Sequence, residues 1–245
     1  MEQSKISTRV LLTSTVILII VLITGPLGHK YQLTDLGASM TSVLIAVVGG
    51  VLVLLVSLVM LAMAIRRQQI HDRNLLLTAI VLSLMPLALM APHIITAGAV
   101  PQIHDISTDT DNPPTFDAVV ALREGATNDL IYGTATLSSV QHAELQRAAY
   151  PQITTKLSPL TFPAAVSRAE SVLMEQGLQI VSVNPEAGLV EATASTFWFG
   201  FKDDLVVRIG KSDNGTEIDV RSVSRVGGSD LSANAARIER FLLAF

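Results

Sequence analysis

Three long stretches without formal charge limit what this chain can fold into more than any other feature of its sequence. An α-helix rises about 1.5 Å per residue, so about 20 consecutive apolar residues are needed to cross the hydrocarbon core of a bilayer. The sequence therefore predicts a membrane domain over residues 1–98, with the lipid bilayer as its partner. Its three transmembrane helices are expected at about residues 10–28, 38–65 and 75–95.

The first stretch has two interpretations. A basic start at Lys5 and Arg9 followed by an apolar run is also typical of a secretory signal peptide. Such peptides end in a small-residue cleavage site, whereas residues 24–28 read Thr-Gly-Pro-Leu-Gly and lack one. We therefore favour a first helix that is retained in the mature chain.

The distribution of Lys and Arg predicts the orientation in the membrane, because short cytoplasmic loops carry an excess of these residues. The N-terminal tail has two of them and the loop after the second helix has three, whereas the first loop has only Lys30. The N-terminus is thus expected in the cytoplasm, and three crossings place the C-terminal domain outside. This describes a multi-pass protein of the cell inner (plasma) membrane, with a periplasmic domain if the source is a Gram-negative bacterium.

Small residues recur on one face of the second helix, at Ser42, Ala46 and Gly50. Residues four apart share a helix face, and small side chains let two helices approach closely. We interpret this stripe as packing among the chain's own three helices, with homo-oligomerisation through the second helix as the alternative.

The charge of the chain differs between its two parts. Residues 1–103 contain six Lys and Arg against three Asp and Glu, whereas residues 104–245 contain 11 against 18. An acidic domain argues against nucleic acid as a partner, because a phosphate backbone is bound by clustered Lys and Arg. The chain also has no cysteine, which excludes disulfides, thiolate catalysis and cysteine-ligated metals. No cofactor is predicted.

Residues 99–245 are predicted to form a soluble α+β domain. Helical periodicity and capping residues indicate helices over residues 139–149, 163–177 and 230–245. Alternating apolar and polar residues indicate strands over 178–183, 189–196, 205–209 and 216–225, with a turn at Asp213-Asn214-Gly215. Residues 104–115 are expected to be a loop or an extended arm. The fold class is therefore three transmembrane helices followed by an antiparallel β-meander, with helices on its apolar face and solvent on its polar face.

Several ordered blocks of this soluble part resemble a known family. They include residues 101–109, 149–151, 191–194, 198–201, 207–209, 219–225 and 229–231, with Pro113, Pro114, Phe116, Asp203, Asp204, Asn234, Ala235, Arg237 and Ile238. From Pro101 to Phe245 the chain is similar to the bacterial and plastid family called domain of unknown function 1499. The resemblance implies an envelope-associated domain, and it assigns no activity and no catalytic residue.

The first candidate site lies at the start of the soluble domain. It consists of His104, Asp105, Ser107, Asp109 and Asp111. Their oxygens would suit a hard cation, but the spacing does not fit an EF-hand loop, so we favour side chains that bind their own backbone and predict no metal. The same segment would give a hydrolase a histidine, an acid and a serine, although no G-x-S-x-G sequence is present.

Two other groups are candidate ligand contacts. Trp198 and Phe199 belong to an aromatic run between two strands, which suits an apolar ligand, a partner or the membrane surface, or a cap on the core. Arg208, Arg221 and Arg225 lie on the polar sheet face and would bind an anion, unless they form ion pairs with acidic residues of that face.

These observations favour a membrane-anchored envelope protein whose extracytoplasmic domain binds a ligand, a lipid or a protein partner, or serves as a scaffold. The alternative is a cell-envelope hydrolase that uses the region of His104, Asp105 and Ser107. No catalytic residue is assigned, and a non-enzymatic role is favoured.

Overall fold

The computed structural model describes residues 5–133, 136–213 and 215–245 of the 245-residue chain. The chain divides into two compact units, here called the helical unit and the sheet unit. The helical unit contains residues 1–96 together with residues 197–200, and the sheet unit contains residues 97–196 and 201–245. Asn214, in the turn expected before the last strand, lies outside the described residues.

Three helices form most of the helical unit. They are α1 (Ile6–Lys30), α2 (Leu36–Arg66) and α3 (Ile70–Ala99). The most apolar windows of these helices have mean hydropathies of 2.5, 3.1 and 2.2, so each is long and apolar enough to cross a membrane. The side chain of Asp35 accepts a hydrogen bond from the backbone N–H of Ala38 at 2.7 Å and so caps the start of α2.

The small residues of α2 pack inside the helical unit. Ala46 is completely buried, and a Cβ atom added at Gly50 would lie 3.1 Å from the carbonyl oxygen of Ser83 on α3. Ser42 lies against α1, where a Cβ added at Gly25 would overlap its hydroxyl oxygen. The stripe therefore packs against the chain's own helices, as the favoured interpretation expected. Homo-oligomerisation through α2 stays a prediction.

The described residues of the sheet unit form an antiparallel sheet of six strands. In chain order they are β1 (Asp105–Ser107), β2 (Lys156–Ser158), β3 (Gln179–Asn184), β4 (Leu189–Ser195), β5 (Lys202–Ser212) and β6 (Gly215–Ser224). The strand order is β1-β6-β5-β4-β3, and β2 pairs with the other part of β6. The four strands of the expected meander are all present, and the α+β fold class is confirmed.

Two helices cover the apolar face of this sheet. They are α5 (Phe162–Glu175) and α6 (Ala233–Ala244), whereas α4 (Ser139–Ala149) lies next to β1. Leu205, Val207 and Ile209 alternate along β5 and pack with Val172 of α5 and Phe241 of α6 in one buried core. The prediction that helices pack on one apolar face is therefore correct.

The expectation of a solvated polar face is wrong, because the second face of the sheet is also buried. Asp204 and Val206, which point away from α5 and α6, are both completely buried. A segment over residues 108–133, here called the cover segment, lies across this face and includes a 3₁₀ helix at Ala118–Leu122. A second correction concerns residues 105–107, which were expected in a loop or extended arm but form strand β1.

Candidate functional site

The polar face of the sheet gathers most of the residues that the sequence offered as binding groups. Strand register places Asp105, Val223, Asp204 and Thr193 in one row across β1, β6, β5 and β4. Ser107, Arg221, Val206 and Glu191 form the next row. Residues directly opposite each other in antiparallel strands share a face, so these side chains lie side by side beneath the cover segment.

Asp204 is the centre of the first cluster. Its carboxylate accepts two hydrogen bonds from Arg225, from Nε at 2.9 Å and from Nη2 at 2.8 Å, and one from Arg123 Nη1 at 2.5 Å. Thr193 Oγ1 donates a further bond at 2.7 Å. Burial would raise the pKa of Asp204, but the bonds from Arg225, Thr193 and Arg123 outweigh burial and hold this pKa below its usual value. Asp204 is therefore ionised at neutral pH and holds two arginines together.

Arg221 forms the second cluster and binds the cover segment to β1. Its guanidinium makes a two-pronged contact with the Asp105 carboxylate at 3.0 and 2.7 Å. It also donates to the carbonyl oxygens of Pro114 at 3.1 Å and Leu130 at 2.8 Å. The rings of Phe116 and Tyr132 lie over the guanidinium, with centroids 5.4 and 5.6 Å away. The site is thus filled by the chain itself, and Arg221 presents no open face to an anion.

Glu191 binds the start of the 3₁₀ helix in the cover segment. Its two carboxylate oxygens accept hydrogen bonds from the backbone N–H groups of Asp117, Ala118 and Val119, at 2.8, 3.0 and 2.8 Å. These donors lack partners within a helix, so the carboxylate satisfies them. Glu191 was not among the predicted site residues. Its role could be found only from the pairing between distant parts of the chain.

Arg208 forms the third cluster, which includes Asp109, one of the residues considered for a cation and not favoured as a metal ligand. Its Nη2 lies 2.9 Å from Asp109 and 2.8 Å from Asp219, and its Nη1 donates to the carbonyl of Asn112 at 3.0 Å. The other Asp109 oxygen accepts backbone N–H bonds from Asp111 and Asn112, which is a local turn. Within residues 5–133, 136–213 and 215–245, the structure shows no group of three side chains suited to a metal. For the three arginines, the ion-pair interpretation of the sequence describes the observed contacts.

The residues of the suggested hydrolase do not bind one another in the described part of the chain. Ser107 Oγ donates to the carbonyl of Asp109 at 2.8 Å, and the Asp105 carboxylate is held by Arg221. His104 precedes Asp105 on the chain and is nearly buried, and its Nδ1 has no hydrogen-bond partner among the described residues. Burial lowers the pKa of His104 more than the nearby Asp105 charge raises it, which keeps the imidazole neutral at pH 7.

Two side chains of α4 complete the outer edge of strand β1. His142 Nε2 donates to the carbonyl of Asp105 at 2.6 Å. The amide of Gln146, one helical turn later, accepts from the N–H of Ser107 at 2.9 Å and donates to its carbonyl at 2.7 Å. Side chains thus replace the missing neighbouring strand, which protects an edge from pairing with another chain. The sequence predicted α4 but gave no signal for this role.

The residues of the aromatic run lie in the turn between β4 and β5. The turn is closed by a bond from the N–H of Thr196 to the carbonyl of Phe201 at 2.8 Å. Phe197 is 86% exposed, whereas Trp198 and Phe199 are half-buried and their rings meet edge to face at 6.0 Å. Among the described residues, Trp198 and Phe199 are the predicted ligand contacts that carry an aromatic ring and remain partly accessible.

The sheet unit matches a known protein family. Residues 105–245 match the sequence profile of the family described as Protein of unknown function (DUF1499). The chain belongs to the DUF1499 family. The match covers more than half of the chain, begins at the first residue of β1 and leaves the three apolar helices outside. No curated protein matches the chain.

The extent of the DUF1499 match agrees with the contacts seen in the sheet unit. It begins at Asp105, whose carboxylate binds Arg221, and it contains the whole cover segment. A DUF1499 domain is therefore a six-stranded sheet in this chain, covered by helices on one face and by an ion-paired segment on the other. The family description assigns no activity.

Proposed function

We propose that this chain is a multi-pass protein of the inner (plasma) membrane. Its DUF1499 domain lies on the extracytoplasmic side and binds a ligand or protein partner, or acts as a scaffold. A binding or scaffolding role is supported by the contacts that the charged side chains of the polar sheet face make. The arginines and carboxylates of this face bind one another or backbone groups, so their chemistry holds the cover segment on the sheet. The exposed surface is then left for contacts with other molecules.

The orientation rests on the basic residues at the ends of the three helices. Lys5 and Arg9 flank the start of α1. Arg66 is the last residue of α2, Arg67 follows it, and Arg73 lies in the first turn of α3. Of the Lys and Arg residues, only Lys30 lies at the junction of α1 and α2. Because Lys and Arg are retained on the cytoplasmic side, this pattern favours a cytoplasmic N-terminus and an external C-terminal domain.

Reporter fusions test the orientation in a bacterial host. Alkaline phosphatase is active only outside the cytoplasm, so we expect activity when it is fused after Phe245 and none when it is fused after Arg67. Green fluorescent protein fused at the same two positions is the control and should give the opposite pattern. Phosphatase activity after Arg67 without activity after Phe245 would contradict the proposed orientation.

Turnover by the full chain separates the binding role from the hydrolase alternative. The protein in lipid nanodiscs would be offered chromogenic esters, amides, phosphoesters and glycosides. We expect no hydrolysis above that of a His104→Ala variant, because the structure joins neither Asp105 nor Ser107 to His104. Val140→Ala, at an exposed position of α4, is the matched control for handling. Hydrolysis that disappears in His104→Ala and persists in Val140→Ala would favour the enzyme.

A further inference from the structure

We infer that the aromatic turn of residues 197–200 is a membrane-contact site, in which Phe197 and Trp198 lie in the headgroup region of the bilayer that holds α1, α2 and α3. This contact does not depend on the side of the membrane on which the domain lies, and its partner is a phospholipid surface.

The register of the sheet places this turn at the end of the domain where the chain arrives from the membrane. Strand β1 begins at Asp105, which pairs with Val223 on β6. Val223 pairs with Asp204 on β5, and Asp204 pairs with Thr193 on β4. The turn between β4 and β5 follows Thr193 by a few residues. The first residue of the sheet and the aromatic turn are therefore at the same end of the strands.

The connection between α3 and the first strand of the sheet is short. Helix α3 ends at Ala99 and β1 begins at Asp105, so residues 100–104 join them. Five residues span at most about 18 Å when fully extended. The length of this connection limits how far along the chain the start of β1 can lie from the end of α3.

The composition of the turn suits the boundary between hydrocarbon and water. Tryptophan is enriched at both membrane interfaces because its ring is apolar and its N–H remains able to bind water or headgroups. Phe197 exposes 86% of its surface, which is an unfavourable arrangement in water but a favourable one in an interface. Lys202, the first residue of β5, is exposed and follows the turn in the chain, and a cation of this kind is attracted by phosphate headgroups.

Contacts inside the helical unit support the same location. The Lys30 ammonium, at the end of α1, donates to the carbonyl of Phe197 at 2.8 Å and lies 5.0 Å from the centre of its ring. It also lies 5.7 Å from the ring of Tyr31, which is 65% exposed. His29 Nδ1 donates to the carbonyl of Phe199 at 2.8 Å. Aromatic rings and a lysine thus meet where a transmembrane helix leaves the apolar region.

Quenching of tryptophan fluorescence tests this contact in the full chain, reconstituted in phosphatidylcholine vesicles. Trp198 is the only tryptophan, so the wild-type protein already reports on the turn. A second variant, Phe197→Trp with Trp198→Phe, moves the probe to the most exposed position of the turn. Iodide reports access from water, and lipids brominated near the headgroup or near the bilayer centre report depth.

A matched control places the probe at the other end of the same sheet. Leu157 is 69% exposed and pairs with Glu217, near the start of β6, whereas Val223 lies near its end. This separation is about 20 Å along the strand. The control variant is Leu157→Trp with Trp198→Phe. It carries an exposed tryptophan at the far end of the same sheet, where we expect no membrane contact.

We expect lipids brominated near the headgroup to quench positions 197 and 198 several-fold more than position 157, and more than lipids brominated at the bilayer centre. Iodide should quench position 157 more than positions 197 and 198. Two results would overturn the inference: iodide access at position 197 equal to that at position 157, or protection of both turn positions from iodide and from brominated lipid alike.

Discussion

Replacing Arg221 by methionine is expected to lower the free energy of unfolding of the DUF1499 domain by about 3–5 kcal/mol, because it leaves the buried Asp105 charge without its partner. Arg221 is 3% exposed and Asp105 is 1% exposed, so water replaces little of the lost interaction. The carbonyl groups of Pro114 and Leu130 lose their donor as well. Methionine has a similar length and is apolar, so lost packing contributes little to the expected change.

Hydrogen exchange in the full chain, in detergent micelles, measures this effect under native conditions. Amides of β1 and β6 should exchange roughly two to four orders of magnitude faster in Arg221→Met, since exchange reports the free energy of opening. Arg147→Met is the matched control, because Arg147 forms an exposed pair with Asp111. Such a surface pair contributes at most about 1 kcal/mol.

A double variant shows whether the charge pair is the cause. Asp105→Asn removes the charge that Arg221→Met leaves unpaired, so the two changes together should cost less than the sum of the single changes. If the effects of the two changes on the free energy of unfolding are strictly additive, Arg221 acts through packing between Phe116 and Tyr132. That result would contradict the ion-pair explanation.

The helices and the meander could be predicted because their signals are local. Helix α4 begins after Ser138, whose side chain and that of Gln141 form a capping box, and the predicted limits of this helix agree with the structure. Strand β5 carries apolar residues at the alternate positions Leu205, Val207 and Ile209, and these inward residues are those expected. Each of these signals lies within one element, so no knowledge of distant contacts is needed.

The burial of the polar sheet face could not be predicted, because alternation along a strand shows which residues are polar but not whether solvent covers them. Asp204 and Arg208 would be placed on the polar face whether solvent or the cover segment lay above them. Val206 and Val223 are apolar residues on that same face, and they were the available sign that it is buried. The partners of Asp204 lie up to 81 residues away in the chain, so pairing patterns within the strands do not show them.

Strand β1 was missed for a related reason. It has only three residues, and the aspartates and prolines that follow it indicate a loop. Its hydrogen bonds go to β6 on one side and to His142 and Gln146 on the other. The strand exists because of these distant partners. The candidate residues Asp105 and Ser107 were therefore found by composition, while their structural role followed only from the fold.

Asp204→Asn is expected to cost about 3–5 kcal/mol at neutral pH, because it leaves the largely buried Arg123 and Arg225 without the charge between them. The pH dependence of this cost identifies the cause. The pKa of Asp204 lies below its usual value in the folded protein, so folding releases protons from this group. Its stabilising effect is present above about pH 4 and is lost as the pH falls through the folded pKa.

The difference in unfolding free energy between wild type and Asp204→Asn should therefore be constant above about pH 5 and shrink below about pH 4. Hydrogen exchange of β5 amides, corrected for the pH dependence of intrinsic exchange, measures this difference in the full chain. Asp111→Asn changes the same residue type in an exposed pair, and it should differ little from wild type at any pH. A difference for Asp204→Asn that persists unchanged at acidic pH would mean that shape at this position, and not the carboxylate charge, holds Arg123 and Arg225 in place.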